Sequence, residues 1–308
     1  MPSAVRIREV GPRDGIQSEK VQVSTDEKVR LIDALSRTGV RLIEAVSFVS
    51  PKAIPQMADA RDVWQRIDRN PAVFYSALVP NRKGAEIAAE CGVDGLQVFI
   101  AASDSYNLRN VGKKVMESKA DVADVVSVAA DAGIPVEGTI STAFGCPYEG
   151  DVPPARVAEL TRWMVEEGIG VISYGDTTGM ATPRRVLEVV EAVRSSVPKL
   201  VMNMHFHDTR GTGLANVVTA LGAGIDYFDA SVGGMGGSPF AQGATGNIAT
   251  EDLVHMLEDM GVATGIDLDA LLGAALIAQE IVGADLPSKV LKAGPRLRAA
   301  AGAGAEME

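Results

Sequence analysis

Histidine is scarce in this chain, at three residues in 308, and cysteine is scarcer still, at two. Two cysteines, Cys91 and Cys146, give no disulfide framework in a chain this long, and the lack of thiolate ligands argues against a structural zinc site. No apolar run reaches the roughly 18 residues that span a bilayer, so no membrane role is expected. No basic cluster stands out and the net charge is −11, which speaks against a nucleic-acid surface. A few local cations would still serve an anionic small-molecule substrate. The opening stretch, MPSAVRIREVGPRDG, lacks the basic region and apolar segment of a secretory signal. A soluble, cytoplasmic protein is expected. Cys91, in AEIAAECG, reads as a buried small hydrophobe before a helix-ending glycine, whereas Cys146, in FGCPYEG, follows a strand and is less easily dismissed.

What the chain does have is alternation. Eight strand-like runs cover residues 5–10, 41–48, 72–79, 95–102, 135–142, 170–176, 200–208 and 227–232. Segments of helical period separate them. Ser24 to Glu27 forms a capping-box pattern ahead of Val29, Ile32 and Leu35. Thr182 and Pro183 look like an N-cap and first helical residue ahead of Val186, Val189, Val190 and Val193. Residues 247–261 begin and end like another helix. Eight strand–helix units predict an α/β fold, a (β/α)8 TIM barrel with extra C-terminal helices after residue 266. An open doubly wound sheet is the alternative. Residues 1–290 read as one catalytic domain and 291–308 as a flexible tail. A homodimer is expected from the extra helices.

In a barrel, catalytic groups belong at the C-terminal ends of the strands, and the unusual residues fall there. In MNMHFHDTRGTG, His205 and His207 stand two apart on the seventh strand. Side chains at i and i+2 share a face, with Asn203 below them and Met202, Met204 and Phe206 opposite. The pair is either two core histidines satisfied by backbone carbonyls or two ligands to one ion. An ion would want oxygen ligands as well, and Asp14 at the end of strand one and Asn247 past strand eight are the candidates. Such a donor set suits Mg2+ or Mn2+, with Zn2+ or Co2+ possible. His255 reads as surface or packing. Arg13 beside Asp14 is either a surface ion pair or a clamp for a developing oxyanion. Glu44, in apolar LIEAVSF, needs a partner, and Arg13 is the plausible one. Asp176 either orients a histidine or holds metal-bound water, or else caps the turn DTTG. The glycine-rich stretch 233–246 is either a flexible loop or a lid over the site.

Together, EVGPRDGIQSEK, IEAVSFVSPKAIPQMAD, GCPYEG, YGDTTGMATP, HFHDTRGTGLAN and GGSPFAQGATGNIATEDLVHML resemble 3-hydroxy-3-methylglutaryl-CoA lyase, over residues 7–290 or so. The resemblance implies a metal-dependent retro-Claisen cleavage of an acyl-CoA substrate to acetyl-CoA and acetoacetate. By the same resemblance, Asp14, His205, His207 and Asn247 match the metal ligands and Arg13 the arginine that stabilises the thioester enolate. Glu44 matches its supporting glutamate, and Asp176 matches an active-site acid. Gln17, Ser47, Ser173 and Thr177 match pocket residues, while Lys20 and Asn110 match positions near bound CoA. The chain departs from the pattern at Ser238, where the family has its catalytic loop cysteine, and at Glu137 and Thr139, which replace arginine and tyrosine. Two alternatives follow: a lyase for a related 3-hydroxyacyl-CoA, and a Claisen-condensing acyl transferase, although the latter usually carries a further domain. A catalytically silent metal- or CoA-binding protein is a third.

Overall fold

A computed structural model describes residues 1–237 and 246–296. Eight parallel strands close into a barrel in chain order: β1 (Arg6–Glu9), β2 (Leu42–Ser47), β3 (Phe74–Leu78), β4 (Gly95–Ala101), β5 (Val136–Ser141), β6 (Val171–Gly175), β7 (Val201–His205) and β8 (Tyr227–Ala230). Closure through the β1–β8 pairing, with Arg8 opposite Asp229, decides for the barrel and against the open sheet. Side chains on alternate strand positions divide between two environments. On β5, Gly138 and Ile140 are buried; a Cβ on Gly138 would meet Met164 and Ile169, so this side faces the outer helices. Glu137, Thr139 and Ser141 face the interior.

The helices that follow the strands are α1 (Thr25–Leu35), α2 (Ala60–Arg66), α3 (Arg82–Cys91), α4 (Asp104–Val111), α5 (Val115–Ala132), α6 (Pro154–Glu166), α7 (Pro183–Ser196), α8 (Gly213–Gly222) and α9 (Thr250–Asp259). Their start signals act as the sequence suggests. Ser24 Oγ accepts from the Glu27 amide while the Glu27 carboxylate accepts from the Ser24 amide, closing the capping box. Pro183 opens α7, although Thr182 makes no side-chain cap bond. Beyond the barrel, α10 (Leu268–Val282) packs against α1, and α11 (Lys289–Ala293) is pinned by Ser288 Oγ donating to Asp252 at 2.8 Å. The expected boundary at residue 290 therefore falls inside a docked helix; the tail from 297 lies outside the described residues. Among the described residues, no helix is long and apolar enough to cross a membrane. Cys91 is the last residue of α3 and only half-buried, a correction to the core position expected for it; Cys146 is fully buried after β5.

Two local irregularities aim side chains at the barrel mouth. After β1 the chain makes a π-helical turn, Gly11–Gly15, in which the amides of Arg13, Asp14 and Gly15 all donate to the Val10 carbonyl. That turn carries Arg13 and Asp14 over the rim. In β2 the register against β3 shifts between Glu44 and Val46, a bulge of the kind that re-aims a side chain beside a site.

Candidate metal centre and active site

Asp14, His205 and His207 come together at the C-terminal mouth of the barrel, each offering a ligand atom within 4.8 Å of the others. His205 closes β7. His207 lies beyond the strand and is fixed by a bridge to Asn247 rather than by the β7 ladder, so strand periodicity alone does not place it. The two Nε2 atoms are 3.1 Å apart. At that distance the rings either share one proton or turn their lone pairs to a common cation. The Nδ1 of His205 is taken by Asp229 Oδ2 at 3.0 Å, leaving Nε2 for the cluster. Asn247 donates to Asp14 Oδ2 at 2.8 Å and to the Met235 carbonyl at 3.0 Å. Two imidazoles and a carboxylate, packed this closely and free of thiolates, fit a divalent ion with oxygen ligands to spare. His255, on α9, stands outside this cluster.

The electrostatics agree with that reading. Burial opposes ionisation of Asp14, yet the Arg13 guanidinium, the two imidazoles and the Asn247 amide hold its carboxyl at about 2. Burial and the neighbouring His205 push His207 down to about 3, so it stays neutral and able to ligate. His205 is raised against its burial by the bond and charge of Asp229.

Arg13 is a clamp rather than a surface ion pair. Its Nε and Nη2 donate to the two oxygens of Glu44 at 2.9 Å each, and Nη1 donates to Asp14 at 2.7 Å. Glu44 is buried and gains the partner the sequence called for. A guanidinium carries about five N–H donors, so one on each terminal nitrogen is left for a substrate oxygen.

Asp176 departs from one of its expected roles. Its Oδ1 accepts from the amides of Met180 and Ala181 at 2.7 and 2.8 Å, so it caps the turn after β6. The carboxylate that orients a histidine is Asp229. Asp176 still sits at the mouth, its amide bonded to the His205 carbonyl at 2.8 Å. Burial pushes its carboxyl up to about 7 against those amide bonds, and its Oδ2 has no hydrogen-bond partner among the described residues.

The remaining expected site residues divide. Gln17 Oε1 and Ser47 Oγ are buried without hydrogen-bond partners among the described residues, as groups reserved for a ligand would be. Thr177 Oγ1 accepts from the Thr142 amide at 3.1 Å, and Thr142 is the one described non-glycine residue with positive φ, at 54°. Ser173 donates to Asp229 at 3.4 Å and so supports the interior rather than opening on a pocket. Lys20 and Asn110 are exposed, the first after the β1 turn and the second on α4 above the end of β4. Glu137 bonds Arg8 at 2.7 Å inside the barrel. Ser238 lies outside the described residues.

Arg8 and Asp229 are the residues that sequence reading passes over. Asp229 carries the same signal as Glu44, a lone carboxylate in an apolar strand, but its partner is 221 residues away and adjacent only once the barrel closes.

Residues 4–277 match the family model described as HMGL-like. The chain is 48% identical to hydroxymethylglutaryl-CoA lyase YngG of Bacillus subtilis (strain 168), over 94% of this chain and 97% of that protein. The crystal structure of the Bacillus subtilis HMG-CoA lyase superposes with a TM-score of 0.92, covering 95% of this chain and 99% of that one. An HMG-CoA lyase from Acinetobacter baumannii in complex with coenzyme A and 3-methylmalate, 43% identical, superposes at 0.91 over 96% of each chain.

Proposed function

The chain belongs to the 3-hydroxy-3-methylglutaryl-CoA lyase family, and from that premise we propose that Asp14, His205, His207 and Arg13 form its reaction centre. The protein is a carbon–carbon lyase that cleaves 3-hydroxy-3-methylglutaryl-CoA to acetyl-CoA and acetoacetate. The observation that carries the assignment of the centre is the convergence of two imidazoles and a carboxylate beside a guanidinium locked by Glu44.

Cleavage removes the proton of the 3-hydroxyl while the adjoining carbon–carbon bond breaks. The O–H electrons become the new carbonyl of acetoacetate, and the carbon–carbon pair becomes the thioester enolate. A proton then completes the methyl group of acetyl-CoA. Asp14, His205 and His207, with Asn247 as a fourth ligand, would hold a divalent ion, which would supply Lewis acidity at the hydroxyl, and Mg2+ or Mn2+ suits the donors. Arg13 turns its two remaining N–H groups to the enolate oxygen, where charge appears only as the bond breaks. Asp176, with its carboxyl near 7, is matched to carrying a proton near neutral pH. Gln17, Ser47 and Thr177 meet the polar acyl end, and Ser173 acts through Asp229. Lys20 and Asn110, both exposed, would meet CoA, a group that the relative from Acinetobacter baumannii holds. Ser238 positions substrate or water in the loop, since a hydroxyl is a poor substitute for a thiol of reference pKa about 8.5.

One feature favours a second reading of the acyl group. Thr139, half-buried on β5 opposite Ser173, stands where the family pattern has tyrosine and leaves more room. A related 3-hydroxyacyl-CoA, differing at the acyl end, would then be the substrate. The test is acetyl-CoA release from a panel of 3-hydroxy-3-substituted glutaryl thioesters by the purified chain with Mg2+. Release from the 3-methyl compound is expected; release from none of the panel would overturn the function. A cytoplasmic homodimer is the proposed working form, to be checked by cell fractionation and by light scattering.

A further inference from the structure

Beneath the metal ligands, a chain of charged groups crosses the barrel interior, and of these only Asp229 touches the centre described above. Arg8 of β1 is 2% exposed and Asp229 of β8 is 3% exposed. Arg8 grips Asp229 with a fork: Nε donates to Oδ1 and Nη2 to Oδ2, both at 2.9 Å. Its third arm, Nη1, donates to Glu137 Oε2 of β5 at 2.7 Å. Glu137 in turn accepts from Gln97 Nε2 at 3.2 Å and from the Tyr227 hydroxyl at 3.4 Å. Asp229 also accepts from Asn203 Nδ2 at 2.7 Å and Ser173 Oγ at 3.4 Å, and its Oδ2 meets His205 Nδ1 at 3.0 Å.

The consequence is positional. Five donors, from four residues on three other strands, reach the two oxygens of Asp229, so the carboxylate has one orientation. With it fixed, His205 has one tautomer that satisfies Asp229, the one with its proton on Nδ1 and its lone pair on Nε2. A carboxylate behind a ligating histidine is a recurrent device for fixing the ring. Here the carboxylate is itself fixed, by a guanidinium whose fork Glu137 holds from the far side of the barrel. Burying three charges costs desolvation that well-packed apolar residues would avoid, so the network is a poor choice for stability alone.

We propose that Arg8 and Glu137 are positioning residues of the metal centre: through Asp229 they hold His205 with Nε2 turned to the ion. The proposal rests on the metal reading of Asp14, His205 and His207. Removing both positioning groups, in Arg8→Met/Glu137→Met, takes away one positive and one negative charge. The local net charge is unchanged, so any loss of ion affinity reports orientation rather than electrostatics. Arg8→Lys supplies the complementary variant, because it keeps the charge but cannot make the fork.

The experiment titrates Mn2+ into the full chain, freed of metal by chelation, and follows free Mn2+ by paramagnetic resonance, with the Tm of each variant as a fold control. Wild-type binding reads the metal centre; the ratio of variant to wild type reads the positioning. Affinity should fall about 10-fold or more in both variants, the range for lost partners behind a metal ligand. A folded double variant that binds Mn2+ within about 2-fold of wild type overturns the proposal, and if that variant does not fold, the same result in Arg8→Lys does so. An independent readout needs no ratio of affinities. In 15N-histidine spectra of the Mg2+-loaded protein, wild-type His205 should show one tautomer protonated at Nδ1, and Arg8→Lys a mixture. One unchanged tautomer in Arg8→Lys contradicts the account.

Discussion

His207 makes no hydrogen bond through Nδ1, and its Nε2 faces His205 at 3.1 Å. Among the described residues, nothing but the cluster gives the ring a polar role. His207→Ala should therefore weaken Mn2+ or Mg2+ binding about 10- to 100-fold or more, the scale seen when metal sites are disturbed, with little loss of Tm; isothermal titration measures it. Arg13 differs, since its two unused N–H groups meet charge that exists only during bond breaking. Arg13→Met should cut kcat by at least about 10²-fold, the range for removing an oxyanion donor, while KM changes little. Steady-state kinetics decide it: a risen KM with kcat intact would make Arg13 a substrate anchor. The same variant leaves Glu44 buried without its partner, so its Tm has to be followed alongside.

The segment after β8 is held at both stems. Glu9, fully buried at the end of β1, accepts from the amides of Gly11 and Val232 at 2.7 and 2.8 Å and from Thr250 Oγ1 at 2.6 Å. Glu251 accepts from the Gly233 amide at 2.9 Å. The stems touch so closely that a Cβ on Gly246 would lie 1.9 Å from the Gly234 carbonyl oxygen, and only glycine fits there. Burial pushes Glu9 up to about 7 and Glu251 up to about 8. A carboxyl raised in the folded state contributes stability that is fully present below its unfolded value, about 4.3, and lost as pH rises through its folded value. Wild type should thus lose stability between pH 5 and 9 relative to Glu251→Gln. The variant should gain at least about 2 °C in Tm across that range, roughly the effect of 1 kcal/mol in a chain of this size. A Tm difference independent of pH would show that Glu251 does not titrate there. The sequence between the stems contains Ser238. Ser238→Cys should raise turnover of 3-hydroxy-3-methylglutaryl-CoA, and Ser238→Ala should cost no more than about 10-fold, the order of one hydrogen bond. Abolished cleavage in Ser238→Ala would make the serine essential.

Over the whole molecule, the barrel is legible because parallel strands covered by helices read as short apolar runs between helical periods. All eight observed strands lie inside the runs read from sequence. The site is legible where chemistry and strand ends coincide, as at Arg13, Asp14, Glu44, His205 and His207. It is less legible where pairing depends on closure. Arg8 and Asp229 meet across the β1–β8 seam, and no local pattern announces that contact. Asp176 shows the converse: a carboxylate beside a histidine strand invites a pairing, but the backbone turn claims its Oδ1. The account's central claim is that this barrel mouth is a metal-dependent retro-Claisen centre. Its most direct test is acetyl-CoA release from 3-hydroxy-3-methylglutaryl-CoA by the purified chain, measured before chelation, after it, and after adding back Mg2+ or Mn2+. The account predicts release, its loss on chelation, and its return with either ion. Full turnover by protein shown free of metal by elemental analysis would contradict it.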